Sequence, residues 1–251
     1  AKLVEIALQS EQRHYFAKAI VNQLWNRLYG YGLVMPIDQM HPENPPSHPE
    51  LMDWLARDLI EHQYDLKRLM RGMVLSNAYA RSSRWEANER PAASLFAVAN
   101  VRALTPPQYA AVLGLGSASA SQFSGELKAE DFDNRLRSAI GPAQGVVEKL
   151  EHPGTNFQVS VDEALLLANS ERVMRDVLRD KQPSLLHDLR SLPDRRPALE
   201  MAIWNTLNRP PVEEELQMLD SYLARRNDRV EVAWQQLVWA LLTSTEARFN
   251  Y

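Results

Sequence analysis

The chain contains no cysteine. Disulfides, thiolate zinc sites, covalent c-type haem attachment and a cysteine nucleophile are therefore excluded within these 251 residues. The absence does not fix a compartment, because a cysteine-free domain is stable inside or outside the cell. Glycine is scarce, with 9 residues. Valine-rich alternating runs are few as well, which argues against many tight hairpins. No apolar run approaches the roughly 18 residues that span a bilayer. There is no basic surplus: 28 Lys and Arg stand against 32 Asp and Glu, for a net charge of −4. The electrostatic footprint of a nucleic-acid binder is missing. No signal peptide is visible, and Ala1 falls inside a helical pattern, so a fragment or processed product is expected.

The composition that is present belongs to a globular protein, 45% hydrophobic and 24% charged. A chain of this length buries roughly three-quarters of its unfolded surface without staples. The periodicity predicts a single all-α domain of about eight to ten helices with a loop-rich middle. The alternative is two lobes, 1–115 and 160–251, joined by an irregular 116–159.

The chain is organised around residues 41–76. Before them, a short helix is expected at 2–9, then a longer one over His14–Gly30. Phe16, Ile20, Leu24 and Leu28 recur at spacing four there, with Val21 and Trp25 beside them. Gly30 or Gly32 supplies the left-handed residue that ends it. Asn22, Asn26 and Arg27 lie off that stripe and read as polar face. A loop over 33–46 is stiffened by Pro36, Pro42, Pro45 and Pro46. Ser47 and Glu50 form the S-x-x-E pattern of a capping box, with Pro49 in the first turn. Leu51, Trp54, Leu55 and Leu59 are the expected buried stripe. Asp65 then caps a second helix carrying Leu66, Leu69, Met70, Met73 and Val74 inward.

Beyond it, 81–103 has no clear periodicity. Thr105-Pro106-Pro107 restarts helix to about Leu115. Residues 116–159 read as irregular, with a short hairpin possible in principle at 146–150 and 156–160. Ser160 opens another capping-box helix. Shorter helices follow near 184–191 and 195–208. A glutamate-headed helix then runs to Arg226, and a last one covers 228–247.

Three passages resemble one family. They are AKAIVNQLWNRLYGYGLVMPIDQMHPENPPSHPELMDWLARDLIEHQYDLKRLMRGMVLSNAYARSS, the pair DEALLLANS and WNTLNRPPVEEEL, and AWQQLVWALLTSTEARFNY. Together they resemble the planctomycete cytochrome-associated C-terminal domain, domain of unknown function 1553. Asn44, Pro45, Pro46, Ser47, His48, Pro49 and Glu50 carry its NPPSHPEL signature. The resemblance implies the C-terminal part of a large exported protein, periplasmic or at the cell surface. Its implied partners are upstream domains of the same protein or another subunit. Any covalent c-type haem would belong to those other domains, and no cofactor is expected in this chain. The family has no established activity, so no catalytic residue carries over.

The residues themselves offer four candidate sites. His41, Glu43 and His48, with Glu50 or Asp53, could ligate a divalent metal, but H-x-E-x4-H is not a known ligand motif. His14, His62, His152, His187 or a methionine could face a haem, though Met70 and Met73 sit on a core stripe. Glu130, Asp131 and Asp133 could do carboxylate chemistry, and a charged loop explains them equally. The G-L-G-S at 114–117 lacks the G-K-[ST] of a phosphate loop. Trp85, Phe123 and Phe157 are candidate interface anchors. The reading these support is a non-catalytic scaffold or docking module. A composite active site using the 41–53 loop, metal-assisted or carboxylate-based and acting on a polysaccharide, is the alternative.

Overall fold

The computed structural model describes residues 13–148, 150, 167 and 171–250. The expected helices at 2–9 and from Ser160, the 156–160 strand, His152 and Phe157 lie outside them. The described residues are all-α. Eleven α-helices accompany one two-residue strand pair, β1 (Arg102–Ala103) with β2 (Phe249–Asn250). The units comprise residues up to 102 and residues 103–250.

In the first unit, α1 (Arg13–Tyr29) packs along α2 (Pro49–Glu61), and α3 (Leu66–Val74) closes against both. The buried face of α1 is Ala17, Val21, Trp25 and Tyr29, with Asn22. The spacing of four is as expected, but the stripe is rotated by one residue, leaving Phe16, Ile20, Leu24 and Leu28 at its margin. Gly30 ends α1 with φ +76°, a left-handed conformation that favours glycine.

The start of α2 differs from its sequence reading. His48, not Ser47, is the N-cap, and no side chain caps the helix. The Ser47 N–H is held by the Leu33 carbonyl at 2.7 Å. That bond draws Ser47 onto the preceding loop. Glu50 becomes the second helical residue instead of the third and cannot complete the box. Asp65 does cap α3, accepting the Arg68 N–H at 3.0 Å. Between the two helices, Gln63 and Tyr64 both take positive φ, which makes the break.

The inward stripes are narrower than predicted. On α2, Met52, Leu55, Ala56 and Leu59 are buried, while Leu51 is partly covered and Trp54 is 58% exposed. On α3 only Leu69 and Met73 are buried; Leu66 and Val74 are exposed and Met70 is half-buried. Short helices bury one narrow face each, and the period alone does not say which residue centres it.

In the second unit, α4 (Pro106–Gly116) lies along α5 (Ala129–Val147). Thr105 sets the start of α4 by donating its N–H and its hydroxyl to Gln108 Oε1, both at 2.9 Å. The 19-residue α5 occupies the middle that was expected to be irregular and excludes a strand at 146–148. Glu130, Asp131 and Asp133 lie on its first turns, not on a loop. Gly141, Pro142 and Gly145 disguise the helix in sequence, but Ala143, Val146 and Val147 give it a buried face.

The short α6 (Glu171–Asp176) precedes α7 (Leu185–Ser191), where Ser184 Oγ accepts the His187 N–H at 3.2 Å. Next come α8 (Arg195–Leu207), α9 (Glu213–Ala224), α10 (Val230–Leu242) and α11 (Thr245–Arg248). Helix α8 is central, packing on α4, α7, α9 and α10. Each unit has its own hydrophobic core: Ala17 to Phe96 in the first, Tyr109 to Leu242 in the second.

Candidate functional site

The signature loop is built around two asparagines. Asn22, fully buried on α1, accepts the Val34 N–H at 2.9 Å. Its amide donates to the Val34 carbonyl at 3.0 Å and the Ile37 carbonyl at 3.2 Å. Asn44 donates to the carbonyls of Gln39 at 2.7 Å and Met35 at 3.2 Å. Tyr15 donates its hydroxyl to the Met40 carbonyl. These bonds satisfy backbone groups that a loop lying on a helix would otherwise bury unpaired. The loop is thus fixed to α1 by its own polar groups. Asn22 was read as part of a polar face; the clue missed was its place between Val21 and Trp25, turned toward the core.

His41 and Glu43 are exposed on this loop. His48 is half-buried, with Nδ1 at 3.1 Å from Ser47 Oγ and its ring 5.7 Å from the Phe96 ring. Among the described residues, no three His, Asp or Glu side chains converge on a point where a metal ion would sit. The fold does not assemble His41, Glu43 and His48 into a ligand set. Asp53 faces the other way along α2, bonded to Lys18 Nζ at 2.5 Å and 3.4 Å from His14 Nε2. The Lys18 bond holds its carboxyl below the usual range.

Behind the loop lies an aromatic cluster. Trp25 stacks on Tyr29 at 3.9 Å and meets Phe96 edge-on at 5.4 Å. Tyr29 donates to the Met73 carbonyl at 2.9 Å and contacts Ser76 Oγ at 3.0 Å. Burial pushes its phenol above its ordinary pKa. The cluster is core, and the hydroxyl is committed to anchoring the end of α3.

The remaining sequence candidates are scattered. His62 Nδ1 lies 2.8 Å from the Asp58 carbonyl, at the end of α2. Trp85 is 45% exposed and donates Nε1 to the Glu89 carbonyl at 2.6 Å. Phe123 is half-buried, edge-on to Phe132 with ring centres 5.9 Å apart.

Two polar features of the second unit were not foreseen. Arg209 forks to Glu215 (Nη2–Oε1 2.5 Å) and Glu246 (Nη2–Oε2 2.9 Å), tying the end of α8 to α9 and α11. The hydrogen bonds from Glu215 and Glu246 raise the Arg209 pKa above its ordinary value, and the Arg209 bond lowers that of Glu215. The other feature is a cleft of about 370 Å³ bounded by the end of α4, the middle of α5 and residues 176–184. Gly114, Ser117, Ser138, Pro142, Arg179 and Lys181 are in its wall. At Gly114 the backbones of α4 and α5 meet, and a Cβ there would lie 2.6 Å from the Ala139 carbonyl.

Neither a curated protein nor a solved structure matches this chain. A family model described as PSD1, protein of unknown function (DUF1553), matches residues 2–137, more than half of the 251 residues. That span includes the asparagine-anchored loop, all three helices of the first unit and the start of the second. The chain belongs to the PSD1 family of proteins of unknown function, DUF1553.

Proposed function

We propose that this chain is a non-catalytic scaffold and docking domain of an exported, cytochrome-linked multidomain protein. The observation that supports it is apolar exposure on the helices of the first unit. Trp54 on α2 is 58% exposed, and Leu75, just after α3, is 73% exposed. Trp54 lies between the buried Met52 and Leu55, and Leu75 stands two residues beyond the buried Met73. Large apolar side chains left in water beside a rigid backbone are what a partner surface covers. The Asn22 and Asn44 amides point the same way, because they are consumed in fixing the loop's shape. The natural occupant is an upstream domain of the same protein or a second subunit. The exported and cytochrome-linked setting rests on the NPPSHPEL resemblance.

The test uses the protein joined to its neighbouring domains. Trp54→Ala with Leu75→Ala should loosen the association, read as new proteolytic cleavage between domains, while the melting temperature of the isolated chain stays within a few degrees. Unchanged inter-domain protection in that variant would rule the docking surface out.

A further inference from the structure

We infer that the cleft in the second unit is a binding site for a small hydroxylated organic anion. The charge comes from Arg179 and Lys181, both exposed and both in the cleft wall. The carboxylates nearest them in sequence are already matched. Asp176, which also lines the cleft, is 3.1 Å from Arg175 Nε, and Asp180 is held by Arg190. Two cations are therefore left facing the cleft of a chain whose net charge is −4. Two cations lining one cleft favour a carboxylate or phosphate through charge-assisted hydrogen bonds.

The hydroxyl requirement comes from the helical side of the cleft. Pro142 sits inside α5 and has no N–H to give the Ser138 carbonyl, four residues earlier. Ser138 and Pro142 both line the cleft, so the turn of α5 that lacks this bond borders it. Ser117, also in the wall, spends its hydroxyl proton on the Leu113 carbonyl at 2.7 Å and presents only lone pairs. A bare anion would meet these acceptors unfavourably. A ligand must bring donors to them, and amines would be opposed by Arg179 and Lys181. Hydroxyl groups on an anionic skeleton satisfy both requirements. The volume lies at the small end of the ligand-pocket range, about 300–1,000 Å³.

Tartrate, succinate and glycerol separate the two requirements, since succinate lacks the hydroxyls and glycerol lacks the charge. Each is titrated into the full chain at constant ionic strength, with amide NMR shifts at 114–118 and 179–184 as readout. Tartrate should saturate, bind about tenfold more tightly than succinate, and leave glycerol without a saturable effect. Arg179→Ala with Lys181→Ala should weaken tartrate about tenfold or more. Both positions are exposed, so the fold should persist, which the unchanged melting curve checks. Pro142→Ala restores the helical bond to the Ser138 carbonyl and should narrow the gap between tartrate and succinate. No saturable shift with tartrate, or equal tartrate binding by the Arg179/Lys181 variant, would overturn the site. Equal affinity for tartrate and succinate would overturn its ligand class.

Discussion

Asn22 ties the signature loop to α1. Its side chain closes three hydrogen bonds to Val34 and Ile37 from a position with no solvent exposure. Asn22→Ala leaves a buried N–H and a buried carbonyl without partners and should cost about 2–4 kcal/mol, read from the urea midpoint. A loss under half a kilocalorie would mean that water replaces the amide. Gly114 is the counterpart in the second unit. Gly114→Ala places a methyl against the Ala139 carbonyl and the Ile140 Cα, at 2.6 and 2.7 Å, so α4 and α5 must part. Overpacking of this kind costs about 1–3 kcal/mol. Even though alanine is the better helix former, the variant should melt earlier.

At the scale of elements, the two helix starts of the first unit behave oppositely. Asp65 makes a cap bond and Ser47 does not. Asp65→Ala should destabilise by about 1 kcal/mol, whereas Ser47→Ala should stay within about half of that. Equal losses in equilibrium denaturation would restore Ser47 as a cap. The Arg209 fork gives the second unit a pH dependence. A carboxyl whose pKa falls on folding contributes stability above its unfolded pKa, and loses it as pH drops through the folded value. Glu215 is lowered by the Arg209 hydrogen bond, so its contribution is present at neutral pH and is lost in acid. Glu215→Gln should cost about 1 kcal/mol at pH 7, after allowing for its partial exposure, and little in strong acid. A deficit that persists unchanged below the carboxylate range would show that Glu215 acts by packing alone.

At the scale of the whole molecule, two cores with no shared residue predict local responses. Each unit carries its own reporters: Trp25, Trp54 and Trp85 in the first, Trp204, Trp234 and Trp239 in the second. Distant perturbations without shared partners add independently. Asn22→Ala should therefore move the unfolding of the first unit, and Gly114→Ala that of the second. Single-tryptophan variants keeping Trp25 or Trp234 would separate the two by fluorescence. A common shift in both reporters would mean that the units unfold as one.

The helical class, the helices of the first unit and the Asp65 cap were legible in the sequence, because period, capping chemistry and proline placement are local properties. So was the family, through NPPSHPEL. The 129–147 helix was not, because Gly141, Pro142 and Gly145 weaken local propensity, while packing of Ala143, Val146 and Val147 restores it. The capping box failed for a related reason: Ser47 N–H is claimed by Leu33, 14 residues away in sequence, and no local pattern encodes that competitor.

The site shows the same division. Sequence by itself determined which residue types stand in the signature loop and that no thiol chemistry is available. Tertiary structure decided the rest. It turned Asn22 inward, left Trp54 in water, kept His41, Glu43 and His48 from converging, and brought Arg179 and Lys181 into one cleft with Ser138 and Pro142. Local chemistry fixes what a side chain can do. Which groups meet depends on contacts between distant residues, whose energies enter only when the chain is folded.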